Sequence, residues 1–489
     1  MATIHAQHRT IYFGRFIDTP TADEIRIRTG AVLVSRCDGH GLVEKAAWDF
    51  DQMLEAHEKL GVQKDVDIVT CPAEGFFFPG FIDTHIHAPQ YPNCGIFGKS
   101  TLLEWLTTYT FPLESSLGSK CSPMYQGFEG QGRVIDPLGR ARQVYEKVIA
   151  RTLSHGTTTA SYFATIHVPA TKLLADLAFR MGQRAYIGHV CMDHPETCPE
   201  YYRDDGTDAS LANTIANIEH CQQLDPTGEL VAPIVTPRFA PSCQPQTLTR
   251  LGELAQSRTL RVQTHISENL DELKLVKKMF PAQSTYTHVY DHYGLLTDKT
   301  ILAHGIHLSD EELTLIHARG SKISHCPASN TAIGSGFCPV RKLLDQGIDV
   351  GLGSDISGGY NCSILENVRQ CCLVSRQLGY LNGQDRRWNI GVAEGLWLGT
   401  VGGAKCTGLD GKSGVFEVGA LWDVQEIQLS HGPVDVFEWE SWEEKVDKWV
   451  WNGDDRNVRR VWVGGRLVHE NGNLQGSTPS SCTESTLLS

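Results

Sequence analysis

What this 489-residue chain lacks narrows its identity before any motif is read. No stretch approaches the ~18 consecutive apolar residues that a membrane-spanning helix needs, so no membrane partner is expected. Basic residues are not in surplus: 43 Lys and Arg stand against 57 Asp and Glu, and the net charge of −14 argues against a nucleic-acid partner. Cysteine is present but unorganised. The 15 cysteines include no C-x-x-C pair, and Cys371 and Cys372 are adjacent, so reduced, buried thiols are expected rather than a disulfide scaffold. No apolar leader accompanies His8, Arg9 and Arg15, and the expected location is cytoplasmic. With 41% hydrophobic and 20% charged residues the composition is ordinary for a globular chain, which disfavours disorder and fibrous repeats and leaves a soluble enzyme as the leading class.

Several familiar motifs are also missing their second halves. His194-Pro195-Glu196 is not followed by P-C-x-x-C, so it does not make a cytidine-deaminase zinc site. Gly411-Lys412-Ser413 has Cys406 where a phosphate-binding loop requires glycine. Arg386-Arg387-Trp388 reads as a solvated loop rather than a nucleic-acid contact.

What is present falls into three blocks and a tail. Residues 9–36 alternate apolar and polar, the period of a strand, and the same character returns at Val415–Val418, Val424–Ile427 and the hairpin-like Val461–Val468. A small β-sandwich domain assembled from both termini, residues 1–78 and 401–474, is therefore expected, with a flexible Ser/Thr-rich tail at 475–489. Between them, 79–400 alternates short apolar runs with amphipathic stretches. The runs lie at Phe81–Ile86, Thr157–Phe163, Arg184–Cys191, Leu230–Pro237, Leu260–Ile266, Thr300–His304, Ser321–His325 and Ile348–Gly353. Eight strands with crossovers in about 320 residues is the arithmetic of a (β/α)8 barrel, with a doubly wound open sheet as the alternative.

The polar residues favour the barrel. Phe81–His87 ends in His85-Ile86-His87, and positions i and i+2 of a strand face the same side. His265 ends the fifth run, His304 the sixth and Asp355 the eighth. In a barrel these ends share one rim, whereas in an open sheet they would be strung along an edge. Three imidazoles and a carboxylate suit Zn2+ or Fe2+ with a position left for water. Glu268, three residues past His265, is placed to exchange a proton with that water, although an acid there also fits the start of the next helix. The fourth run contains no lysine, so the carboxylated bridge of a dinuclear site is not expected and one ion per chain is. Arg238 and Phe239 follow that run. Alone they read as a rim salt bridge and ordinary core; beside the other residues they read as a planar fork for a carbonyl and a ring nitrogen and a wall for a flat ring.

Pro79–His87, the His265-x-x-Glu268 step, Leu302-Ala303-His304-Gly305 and Gly353-Ser354-Asp355 together resemble the amidohydrolase superfamily. Within it, His87-Ala88-Pro89-Gln90, the stretch Leu102–Pro112, Gly156–Phe163, Pro237-Arg238-Phe239-Ala240 and His325–Asn330 are similar to the guanine deaminases, with Pro89 a departure from the serine often found there. The resemblance spans roughly residues 9–470. It implies His85, His87, His265 and Asp355 as zinc ligands, Glu268 as proton shuttle, and His304 as a polarising group beside Asp355. Gln90, Arg238 and Phe239 would line the purine pocket, with His265, Glu268 and Asp355 also facing the substrate. The implied reaction is hydrolysis of guanine to xanthine and ammonia by a homodimer. Another mononuclear deaminase acting on cytosine, adenine or a triazine, and a scaffold without activity, are the alternatives.

Overall fold

Five strands precede the first histidine pair: β1 (His8–Asp18), β2 (Arg26–Cys37), β3 (His40–Trp48), β4 (Asp67–Thr70) and β5 (Gly75–Pro79). Nine follow in the middle of the chain: β6 (Phe81–His87), β7 (Thr157–Phe163), β8 (Arg184–Gly188), β9 (Val190–Cys191), β10 (Val231–Pro237), β11 (Arg261–Ile266), β12 (Thr300–His304), β13 (Lys322–His325) and β14 (Val350–Leu352). Three close the order: β15 (Val424–Gln428), β16 (Val458–Val463) and β17 (Arg466–Glu470). The computed structural model describes residues 8–37, 40–63, 66–129 and 136–471; the tail at 475–489 lies outside them.

The middle strands pair in the order β6-β7-β8-β10-β11-β12-β13-β14, all parallel, with β9 continuing β8 alongside β10. Every residue of β7 and β10 is buried, as parallel strands covered on both faces should be. The ends of the sheet meet. The Asp355 amide donates to His85 O at 2.9 Å, the His87 amide to Ile356 O at 3.2 Å, and the Thr84 hydroxyl to Leu352 O at 2.9 Å. This joins β6 to the segment after β14 and makes a (β/α)8 barrel; the open sheet is excluded. Gly353 is required at the seam, because a Cβ there would stand 2.8 Å from that of His85. Amphipathic helices cover the outside. The helix Val168–Met181 buries Ala170, Leu173, Leu174, Leu177 and Ala178 along one stripe and stops at Gly182, whose φ of 82° is the left-handed cap.

The remaining strands form a second sheet, β17-β16-β15-β5-β1-β2-β3, with β4 beside β1. It folds over on itself, since Tyr12, Val43, Phe77 and Trp462 from four of its strands share one buried cluster with Trp422, just before β15. Both ends of the chain therefore build it. Val415–Val418 is not a strand, contrary to its apolar pattern. Its backbone is satisfied by side chains instead of a ladder: the Phe416 amide donates to Asp18 Oδ2 (3.0 Å) and its carbonyl accepts from Arg28 (3.3 Å). A buried pair, Arg184 on β8 with Asp423, binds the two sheets together at 2.9 and 3.2 Å. The helix Trp442–Asn452 adds Trp449, stacked 6.2 Å from Phe81 at the start of the barrel.

Candidate metal centre and its pocket

His85 and His87 both end β6 and are almost wholly buried, as the two-residue period requires. The structure brings His265 and Asp355 to them. One donor atom from each of the four lies within 4.8 Å of the others. His85 Nε2 is 3.1 Å from Asp355 Oδ1, His87 Nε2 is 3.6 Å from the same oxygen, and His87 Nε2 is 3.1 Å from His265 Nε2. Donors bonded tetrahedrally to one ion at about 2.0–2.2 Å stand roughly 3.3–3.6 Å apart, so the set fits a single divalent metal. His85 Nε2, buried without a hydrogen-bond partner, is accounted for by such an ion.

Each donor is held from behind. His265 Nδ1 is hydrogen-bonded to the Arg238 carbonyl, which turns Nε2 inward. Phe163, ending β7, packs edge-on against His85 and His265 with ring centroids at 4.7 and 5.0 Å. Asp83 accepts from the amides of His85 and Ser354, fixing the strands on which His85 and Asp355 ride. Asp355 (φ 46°) and His304 (φ 75°) have left-handed backbones, and strain of this kind collects at functional sites.

The protonation states differ across the cluster. Burial, followed by the neighbouring imidazoles, drives His87 and His265 well below the usual histidine range, and burial also lowers His85, so these rings are neutral and free to bind a cation. Burial raises the Asp355 carboxyl, but His85, which also bonds it, and His304 outweigh burial and lower it overall. His304 goes the other way. Burial lowers it, yet Glu268, Asp355 and a 2.8 Å bond from Nδ1 to Asn330 raise it overall. Its Nε2 faces Glu268 Oε2 at 3.4 Å and Asp355 Oδ2 at 3.8 Å. Burial pushes the Glu268 carboxyl up to about 7. Glu268 does not cap the helix that follows; Asn269 and Glu272 do, and Glu268 is left to accept from Ser335 Oγ at 3.0 Å.

Above the donors opens a small cleft. Gln90, Arg238, Phe239, His265, Glu268 and Asp355 all line it, with Leu102, Trp105 and Leu106 as an apolar wall. Arg238 lines the cleft and is also in a buried ion pair. Its partner, Glu114, escaped the sequence reading. The carboxylate of Glu114 lies 2.7 Å from Arg238 Nη1 and accepts from Gln90 Nε2 and Tyr202 OH, each at 2.7 Å. Glu114 stands just past the Leu102–Pro112 stretch, and only its proximity to that stretch hinted at a role. Ser335 and Tyr202 carried no signal at all.

Comparison with known proteins agrees with this geometry. A family model described as the amidohydrolase family matches residues 76–468. A protein of Schizosaccharomyces pombe described as a probable guanine deaminase is 45% identical over 475 residues, covering 96% of this chain and 86% of that one. The guanine deaminase of Homo sapiens is 42% identical over 399 residues, 80% of this chain and 83% of its own. Among solved structures, the guanine deaminase from C. acetobutylicum with guanine bound in its active site superposes with a TM-score of 0.81 at 32% identity, covering 94% of this chain and all of that one.

Proposed function

The chain belongs to the amidohydrolase family, and within it to the guanine deaminases; from that premise we propose that it hydrolyses guanine to xanthine and ammonia. The observation that carries the reading is the convergence of His85, His87, His265 and Asp355 at a small cleft that Arg238 also lines. Zinc is the ion we assign, one per chain, held by those four residues; Fe2+ would accept the same donors. When bound, such an ion lowers the pKa of a coordinated water to about 7 and so supplies a nucleophile at neutral pH.

The protein's own groups do the rest. Gln90 and Arg238 receive the polar edge of the purine while Phe239 and Trp105 confine its plane, which sets C2 over the donors. Glu268 takes a proton from the attacking water and delivers it to N3, a transfer for which its raised carboxyl is poised. His304 and Asp355 orient the nucleophile and take its remaining proton. That proton passes to the amino group at C2, which leaves as ammonia, and the ring carbonyl of xanthine remains. In the cell we propose a cytoplasmic homodimer, a reading supported by the family resemblance.

The test is ammonia release from purified protein. Release from guanine but not from adenine or cytosine, abolished by chelation and restored by Zn2+, is expected. Release from adenine or cytosine alone would reassign the substrate, and a chain that binds no divalent ion would be a scaffold.

A further inference from the structure

Glu114 is fully buried, and of the three side chains it bonds, Gln90 and Arg238 line the cleft. Oε1 accepts from Gln90 Nε2 at 2.7 Å and from Arg238 Nη2 at 3.3 Å; Oε2 accepts from Arg238 Nη1 and Tyr202 OH, each at 2.7 Å. Tyr202 is a secure donor, because burial pushes its phenol well above the ordinary range. The partners come from different loops. Gln90 and Glu114 follow β6, Tyr202 follows β9 and Arg238 follows β10. The segment that carries Glu114 also supplies Phe111, whose ring lies 5.1 Å from the Arg238 guanidinium carbon.

We propose that Glu114 is a positioning residue for substrate selection: without touching the substrate, it orients the amide of Gln90 and neutralises Arg238, so that the cleft takes a neutral oxopurine. The inference rests on the guanine reading above and deepens it. Consider Gln90 first. Its Nε2 is committed to Glu114 and its Oε1 accepts from the Ser357 amide at 3.2 Å. A flipped amide would set oxygen against carboxylate and N–H against N–H, so only one orientation survives, and it presents a known donor and a known acceptor to the ring. Arg238 is fixed as a fork on a carboxylate by its bonds from Nη1 and Nη2, and the same side chain lines the cleft, where its N–H groups are its only polar atoms. Those donors suit a ring carbonyl and repel an exocyclic amine in the same place. The charge matters as much as the direction. A buried guanidinium without a partner would leave the cleft cationic and favour anions, whereas the Arg238–Glu114 pair carries no net charge.

The experiment compares the full-length, metal-loaded wild type with Glu114→Gln and Tyr202→Phe. It reads kcat and KM for guanine, KI for xanthine at a pH where that purine is partly anionic, and bound metal. Glu114→Gln is expected to keep its metal, raise KM about tenfold or more with a smaller change in kcat, and bind anionic xanthine more tightly. Tyr202→Phe keeps the charge pair and is expected to raise KM a few-fold with no gain in xanthine affinity. A merely structural Glu114 would weaken guanine and xanthine together, and that parallel loss, or unchanged KM and KI, overturns the proposal. Should Glu114→Gln fail to fold, an unaltered KM in Tyr202→Phe overturns it and a selective rise in KM supports it. A wild type that frees no ammonia from guanine overturns the functional reading and this inference with it; an active wild type with an indifferent Glu114 overturns the inference alone.

Discussion

Replacing Glu268 by glutamine separates metal binding from proton transfer. The side chain is buried, it is not among the four clustered donors, and its two oxygens face Ser335 Oγ at 3.0 Å and His304 Nε2 at 3.4 Å. Glutamine fills the same volume and can keep the bond from Ser335 through its carbonyl. Nothing in the packing or in the donor set is therefore removed; what is lost is the ability to take up and release a proton. General acid–base transfer contributes typically 10²- to 10⁴-fold, which corresponds to about 2.7–5.4 kcal/mol of the barrier. Glu268→Gln is accordingly expected to fold, to hold as much metal as the wild type by elemental analysis, and to lose about 10²- to 10⁴-fold in kcat for ammonia release. Wild-type turnover in a fully metallated variant would refute the shuttle. Loss of metal together with activity would show instead that Glu268 supports the ion.

Further outcomes can be checked independently. Because burial raises the Glu268 carboxyl to about 7 and the ionised form is the one that accepts a proton, kcat/KM is expected to fall as pH drops below a limb at or beneath that value. A bound cation nearby moves the limb to lower pH, and a rate that rises steadily towards acid would contradict the assignment. His265→Ala removes a donor whose Nδ1 is already tied to Arg238 O, so dialysed protein is expected to carry background metal; a stoichiometric ion would exclude His265 as a ligand. Arg184→Ala strands Asp423, fully buried and bonded bidentately to that arginine. Urea unfolding is expected to show a loss of about 3–5 kcal/mol, and no loss would mean that the two sheets are not held by this pair.

Local pattern made the barrel legible. The eight apolar runs coincide with strands to within a residue or two, except that Arg184–Cys191 breaks at His189 into β8 and β9. The strand-end histidines were readable because a period of two places His85 and His87 on one side, and because the ends of parallel strands share a rim. Reading stopped where side chains substitute for regular structure or reach across the chain. Phe416 looks like a strand residue, but its amide is satisfied by Asp18, 398 positions away. Ser335 meets Glu268 across 67 residues, and Glu114 meets Tyr202 and Arg238 across 88 and 124. No periodicity encodes such pairs. A lone glutamate in the short helix Phe111–Ser115 gives no sign in the sequence that it is fully buried, and burial is what makes it consequential.

Arg238 shows how the two halves of the site are divided. Its main chain serves the donors: the amide donates to Cys191 O at 3.1 Å, and the carbonyl receives His265 Nδ1 and the His265 amide. Its side chain serves the cleft through Glu114. The same division holds elsewhere. Donor geometry is set by groups at strand ends, namely Asp83, the Arg238 carbonyl and the seam between β6 and the segment after β14, all anchored in the parallel ladder. Gln90, Trp105 and Phe239, which line the cleft, and Glu114 and Tyr202 behind them lie outside the strands and take no part in the ladder. An intact donor set is therefore evidence for hydrolytic chemistry and is silent about the ring being hydrolysed. The proposed selection lies in the segments after β6, β9 and β10, where one buried carboxylate bonds Gln90, Tyr202 and Arg238 together.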